Sequence, residues 1–129
     1  MWIFLFIAIG GAAGAVSRYA VGLALAGLFG AGFQPVATLI VNIIGSGLMG
    51  FCFALISAGL TMSDHLRGLI MIGFLGGLTT FSSFSLDAIS MIEKGDLVIG
   101  LAYIFASVIL SLIAFMFVMV ITRGYLTGH

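Results

Sequence analysis

Four long apolar runs, separated by short polar or glycine-containing connections, account for most of the sequence. They cover residues 1–28, 36–57, 66–92 and 97–122. A helix needs about 20 apolar residues to cross the hydrocarbon core of a bilayer, so each run is long enough to span a membrane once. The pattern predicts an all-α integral membrane protein with one four-helix transmembrane domain over residues 1–129. The first run lacks a basic start, so we expect a retained helix and not a cleaved signal peptide.

The composition supports a lipid environment and excludes other classes of protein. Of the 129 residues, 63% are hydrophobic and 6% are charged, whereas a soluble domain carries roughly 25% charged residues. The formal net charge is zero, which removes the electrostatic basis for nucleic-acid binding, so no nucleic-acid partner is expected. The single cysteine, Cys52, lies in an apolar run and is interpreted as a packing residue.

The basic residues are divided almost evenly between the two sides of the predicted domain. Arg67 and Arg123 fall on the side of the termini, and Lys94, with Arg18 by continuity of the first helix, falls on the other. This balance gives no single orientation under the positive-inside rule, so we expect dual topology and an antiparallel two-fold homodimer. Small-residue motifs offer close-packing faces, either for that dimer or within one chain. These motifs are Gly10-x-x-x-Gly14 and Ser46-x-x-x-Gly50.

The third run contains a segment that is a poor transmembrane helix. Residues 73–85 read Gly-Phe-Leu-Gly-Gly-Leu-Thr-Thr-Phe-Ser-Ser-Phe-Ser, and both glycine and the hydroxyl residues have low helix propensity. We predict that the helix is broken mid-membrane near residues 76–80. Lipid cannot satisfy freed backbone groups, so such a break must be buried in protein or face a watery cavity or an ion. A flexible kink whose hydroxyls cap their own helix is the alternative.

Polar and aromatic side chains near this segment suggest a path for a small anion. Two polar stripes repeat at every fourth residue, so each lies on one helix face, and they supply neutral hydrogen-bond donors. Phe81 and Phe84 are spaced to point the same way, and ring edges carry positive partial charge. Interhelical hydrogen bonding and core packing are the alternatives. The stripes are Thr38, Asn42 and Ser46 in the second helix, and Tyr103, Ser107 and Ser111 in the fourth.

Together these residues resemble the Fluc/CrcB family of fluoride channels. Residues 73–85 are similar to the family signature GGxTTFSTF, with Ser83 where members commonly have threonine. Two further motifs support the resemblance over essentially the whole chain. They are Thr38-Leu39-x-Val41-Asn42-x-x-Gly45 in the second helix and Gly10-Gly11-x-x-Gly14-Ala15-x-x-Arg18-Tyr19 in the first.

The resemblance implies a specific assembly and function. It implies an antiparallel homodimer in the bacterial inner membrane, with two pores through which F⁻ leaves the cytoplasm passively, which lowers fluoride toxicity. It also implies a structural Na⁺ at the dimer interface, held by the backbone carbonyls of Gly76 and Thr79. Arg18 would lie in the vestibule, and no role is implied for Asp87. The implied pore residues are Thr38, Asn42, Phe81, Ser82, Phe84, Tyr103, Ser107 and Ser111.

Three other classes of protein fit the sequence less well. A small drug/proton antiporter is also a four-helix dual-topology protein, but it needs an ionisable group in the first helix, and residues 1–28 contain no Asp or Glu. A membrane assembly factor without transport activity would not explain a polar broken helix. An enzyme is not expected, because no nucleophile–base pair or metal-ligand cluster is apparent, and His65 and His129 lie in a connection and at the terminus.

Overall fold

The computed structural model describes residues 2–128, apart from the side chain of residue 127. Within that range the chain is helical and forms four spans, of which the third is composite. It consists of α3, a π-helical segment and α4, followed after a break by α5, and we call residues 64–93 the third span. The helices are α1 (Trp2–Phe29), α2 (Gln34–Ser57), α3 (Asp64–Arg67), the π-helical segment (Gly68–Leu75), α4 (Gly76–Leu78), α5 (Phe81–Glu93) and α6 (Leu97–Thr127).

The four predicted transmembrane helices are confirmed by length and composition. Each span contains an apolar window long enough to cross a membrane. The second helix begins at Gln34, two residues before the predicted run, because Pro35 is favourable in the first turn of a helix. The fourth extends five residues past the predicted end at residue 122, since polar residues beyond the apolar run still continue the hydrogen-bond ladder.

Glycines bring α1 into backbone contact with the third span. A Cβ atom on Gly10 or Gly14 would collide with the backbone of the third span, and one on Gly73 would lie 2.7 Å from the carbonyl oxygen of Ile7. Small residues of this kind let membrane helices approach closely, where dispersion forces are strongest. The Gly10-x-x-x-Gly14 motif is therefore a packing face within the chain.

A second glycine contact joins α2 to α6. A Cβ atom on Gly50 would collide with the backbone of Phe115, and one on Gly47 would lie 3.4 Å from a methyl group of Val118. Gly50 thus also serves packing within the chain, whereas Ser46 of the same motif lines an open groove. The core between the spans is small, and Cys52 is buried in it with Leu75.

The π-helical segment was not predicted from the sequence. It occupies eight residues, Gly68–Leu75, and lies between α3, which Ser63 caps by accepting a hydrogen bond from the Leu66 N–H at 3.3 Å, and the short helix α4. A π-helix widens the backbone and changes which face the following residues present, and such segments occur frequently at functional sites. In this chain it packs against α1 and is separated from the break only by the short helix α4.

The glycine contact gives a test of the packing. Gly10→Ala places a methyl group against backbone that cannot retreat, so we expect the free energy of unfolding to fall by about 1–3 kcal/mol. Gly27→Ala in the same helix is the matched control, because a Cβ there meets nothing within 4 Å and alanine has the higher helix propensity. The measurement is the thermal unfolding midpoint in detergent. Equal midpoints for the two variants would contradict this packing.

Candidate functional site

The third span is interrupted at Thr79–Thr80. Both residues are extended, with φ, ψ of −79°, 154° for Thr79 and −152°, 128° for Thr80, so the prediction of a break within residues 76–80 is confirmed. The adjacent glycines themselves remain helical, since α4 contains both, and Gly77 lies against the backbone of Gly11 in α1. Gly77 therefore serves helix packing, Gly76 is exposed at the edge of the third span, and the two threonines form the break.

The side chain of Asn42 is bound to the break on both of its polar atoms. Its Nδ2 donates to the carbonyl oxygen of Thr80 at 3.0 Å, and its Oδ1 accepts from the Thr80 N–H at 2.8 Å. In a continuous helix that N–H would donate to the carbonyl of Gly76, four residues earlier. Asn42 was predicted as a hydrogen-bond donor in the pore, and here it replaces the missing helical bond.

Thr79 closes the helix that precedes the break. Its N–H and its hydroxyl both donate to the carbonyl oxygen of Leu75, at 3.0 and 2.8 Å. Its own carbonyl oxygen accepts from Nη1 of Arg18 at 3.4 Å. Gly45 of α2 leaves room for the methyl group of Thr79, with which a Cβ would collide. Gly45 belongs to the second-helix motif that begins at Thr38. The spacing of the residues in that motif did not predict the contact with Thr79.

Arg18 lies deeper in the protein than the sequence suggested. It was counted among the basic residues on the side of Lys94, yet it is eleven residues before the end of α1, or roughly 16 Å along the helix axis. There its guanidinium reaches Thr79, and it lines a cavity of about 290 Å³ with Thr38 and Asp87. The vestibule role of Arg18 stays a prediction.

Thr80 begins the helix that follows the break. Its hydroxyl accepts from the N–H of Ser83 at 3.2 Å, as an N-cap does. The same hydroxyl lies 3.2 Å from the Ser83 hydroxyl and 3.3 Å from that of Ser82. Ser82, predicted as a pore residue, lies beside this cap with an exposed side chain, and its role in the pore stays a prediction.

An open groove of about 520 Å³ runs between α2, the break and α6. Its lining brings together residues from three spans that are far apart in the sequence, so the predicted site is largely assembled in one place. Four predicted residues, Arg18, Thr38, Ser82 and Tyr103, do not line it. Of the predicted residues, those on its wall are Asn42, Gly76, Thr79, Phe81, Phe84, Ser107 and Ser111.

The two predicted phenylalanines are neighbours but lie in different environments. The ring centroids of Phe81 and Phe84 are 5.4 Å apart. Phe84 is buried, and its ring packs 5.6 Å from that of Tyr103, whereas Phe81 is 77% exposed. One ring is therefore anchored in the core, and the other stands free at the edge of the groove.

Two hydroxyls in the groove, those of Ser107 and Ser111, have no hydrogen-bond partner within 3.5 Å, although that of Ser107 lies near the Tyr103 hydroxyl. Among the residues that the structure describes, the buried oxygens of Ser107 and Ser111 are the side-chain atoms in this condition. Buried hydroxyls are usually satisfied, because leaving one unpaired costs free energy. Two of the other four members of the stripes also bond within the chain, since Tyr103 donates to Asp87 at 3.4 Å and Thr38 donates to the Gln34 carbonyl at 3.3 Å. The groove thus offers hydroxyls to a ligand.

Comparison with known proteins identifies the family. The family model described as CrcB-like protein, Camphor Resistance (CrcB), matches residues 5–119. A Hahella chejuensis protein named fluoride-specific ion channel FluC is 50% identical over 109 residues, covering 84% of this chain and 85% of that protein. A protein of the same name from Rhizobium leguminosarum bv. trifolii is 46% identical over 120 residues, covering 93% and 95%. The resemblance seen in the motifs is confirmed: the chain belongs to the Fluc/CrcB family of multi-pass membrane proteins.

Proposed function

We propose that the chain is a fluoride-selective channel that lets F⁻ leave the cytoplasm passively. The observation that carries this proposal is the pair of unpartnered hydroxyls, Ser107 and Ser111, in a groove that also holds Phe81 and the broken third span. The names of the similar proteins support the same function. Hydrogen fluoride is a weak acid that enters a cell and dissociates there, so a passive channel for the trapped anion lowers its toxicity.

The groove provides the chemistry that a small anion needs. Ser107 and Ser111 are one helical turn apart, so their hydroxyls lie about 6 Å from each other along the helix axis. The exposed ring of Phe81 adds an edge with positive partial charge. Neutral donors replace the water shell of an anion without binding it so tightly that it cannot leave. Closely spaced donors surround the small fluoride ion better than the larger chloride ion.

A second copy of the chain completes the pore in this proposal. The groove is open along one side, and its wall carries the exposed residues Gly76, Phe81 and Leu112. We propose an antiparallel dimer, with each of two grooves covered by the partner. With Arg18 inside the protein, the surface count of basic residues is Arg67 and Arg123 against Lys94, which remains a small bias for orientation.

A Na⁺ ion between the two copies is part of the proposal. No group of three or more His, Cys, Asp or Glu side chains in residues 2–128 could hold a metal, and the ligands proposed for Na⁺ are main-chain oxygens. The Gly76 carbonyl fits this role, because the Thr80 N–H that would normally bond to it donates to Asn42 instead. Thr79 fits less well, since its carbonyl already accepts from the positively charged Arg18.

The direct test of the function is fluoride efflux from liposomes that contain the purified protein. We expect rapid loss of fluoride and retention of chloride. Phe81→Leu removes the exposed ring edge and should slow efflux by about tenfold, which corresponds to ~1.4 kcal/mol in the barrier. Phe105→Leu is the matched control, because Phe105 is 62% exposed and does not line the groove. Equal fluxes for the two variants would show that the ring of Phe81 does not contribute to transport.

The unpartnered serines allow stability and transport to be separated. Ser111→Ala removes a buried hydroxyl that has no partner, so the thermal unfolding midpoint should stay the same or rise. Fluoride efflux should nevertheless fall, because the anion loses a donor. Ser85→Ala is the control, because the Ser85 hydroxyl donates to the Phe81 carbonyl at 2.9 Å. This variant should retain efflux. A lower midpoint for Ser111→Ala with normal efflux would show that this hydroxyl has a structural role.

The proposed Na⁺ site predicts an effect of the ion on dimer stability. Replacing Na⁺ with the bulky cation N-methyl-D-glucamine should lower the thermal midpoint of the purified dimer, since a ligand that binds only the folded state stabilises it. Thr79→Ser should respond to Na⁺ as the original chain does, because the ligands are main-chain oxygens. If the midpoint is independent of Na⁺, the chain holds no such ion.

A further inference from the structure

The shortest hydrogen bonds that another helix makes to the break come from the side chain of Asn42. Its amide forms two reciprocal hydrogen bonds with the backbone of Thr80, which is extended. This arrangement resembles one rung of a β-ladder, with the side-chain amide in the place of a second strand. Both bonds, at 3.0 and 2.8 Å, are shorter than the 3.4 Å contact from Arg18 to Thr79.

The amide of Asn42 competes directly with a continuous helix. If residues 76–80 were helical, the Thr80 N–H would donate to the Gly76 carbonyl, but that N–H is held by Asn42. Lipid offers no alternative partner to either group, so the Asn42 amide and the helical bond exclude each other. The extended conformation of Thr80 therefore depends on Asn42, and so does the availability of the Gly76 oxygen.

The position of Thr80 in turn fixes the start of α5. Its hydroxyl caps that helix through the N–H of Ser83, and Phe81 and Phe84 lie in the first turn. A shift of Thr80 back into a helix would rotate both rings relative to the groove, because each helical residue adds about 100° of rotation. The aromatic wall is thus placed by a side chain on a different helix.

We infer that Asn42 is the positioning residue that holds the third span broken, by exchanging the Gly76–Thr80 hydrogen bond for two bonds to its own amide. This inference deepens the proposed channel function and rests on it only for its consequence for transport. An Asn42 variant would then lose flux because the third span is displaced, and this loss would not require direct contact between the ion and the amide.

Amide hydrogen exchange at Thr80 tests the inference without reference to transport. The protein is labelled on threonine nitrogen and followed by NMR in detergent micelles, with neither fluoride nor Na⁺ added. Asn42→Ala should speed exchange of the Thr80 amide by about tenfold, the effect of losing one hydrogen bond. Ser46→Ala is the matched control, since Ser46 lies one turn further along the same face of α2 and lines the same groove; it should leave exchange unchanged.

Asn42→Asp provides a second variant that keeps the shape of the side chain. Its carboxylate still accepts from the Thr80 N–H but cannot donate to the Thr80 carbonyl, so at neutral pH the amide should stay protected. Unchanged protection in Asn42→Ala, or equal loss in Asn42→Asp and Asn42→Ala, would overturn the inference. If protection is lost in Asn42→Ala while the unmodified protein passes no fluoride, the positioning role stands and the proposed function fails.

Discussion

Every backbone group inside a bilayer must find a partner within the protein, and the broken third span depends on that constraint. At Thr79–Thr80 the helical bonds stop, and side chains from two other helices take their place: Asn42 from α2 binds Thr80, and Arg18 from α1 reaches Thr79. An unsatisfied group in hydrocarbon would cost several kcal/mol. The break is therefore stable only in the presence of its neighbours.

Close packing of the helices makes those side-chain contacts possible. The contacts of Gly10 and Gly73 bring α1 within reach of the third span, and Gly45 lets α2 approach Thr79. The same approach leaves a groove along α2 and α6 in which the serine hydroxyls of α6 remain unpartnered. Packing, the break and the candidate ion pathway are consequences of one arrangement of small and polar residues.

Much of the fold could be predicted from the sequence, because it depends on local properties. Apolar runs of sufficient length predict the four spans, and low helix propensity predicts an interruption within residues 76–80. The location of the break at Thr79–Thr80 could not be read from propensity, since both glycines of the pair are helical, and Gly77 packs against the backbone of α1. The π-helical segment, which packs against α1, likewise has no local signal in the sequence.

The candidate site was predicted as a set of residues, but their roles required the three-dimensional structure. The periodic stripes correctly brought Asn42, Ser107 and Ser111 to one groove. Periodicity says nothing about partners, and so the two bonds of Asn42 to Thr80 were missed. The spacing of Phe81 and Phe84 predicted neighbouring rings, but not that one would be buried and the other exposed.

Cross-linking at Gly76 tests the central claim, that an antiparallel second copy covers the face of the broken helix. A Cβ at Gly76 meets only the Met71 carbonyl, at 3.8 Å, so Gly76→Cys fits the chain, and Cys52→Ala removes the other thiol. Oxidation in membranes should give a disulfide-linked dimer for Gly76→Cys. Val98→Cys, made in place of Gly76→Cys, should give no disulfide-linked dimer. In an antiparallel dimer the two copies of the exposed Val98 lie near opposite membrane surfaces. Monomer alone for Gly76→Cys, or equal cross-linking at both positions, would contradict the account.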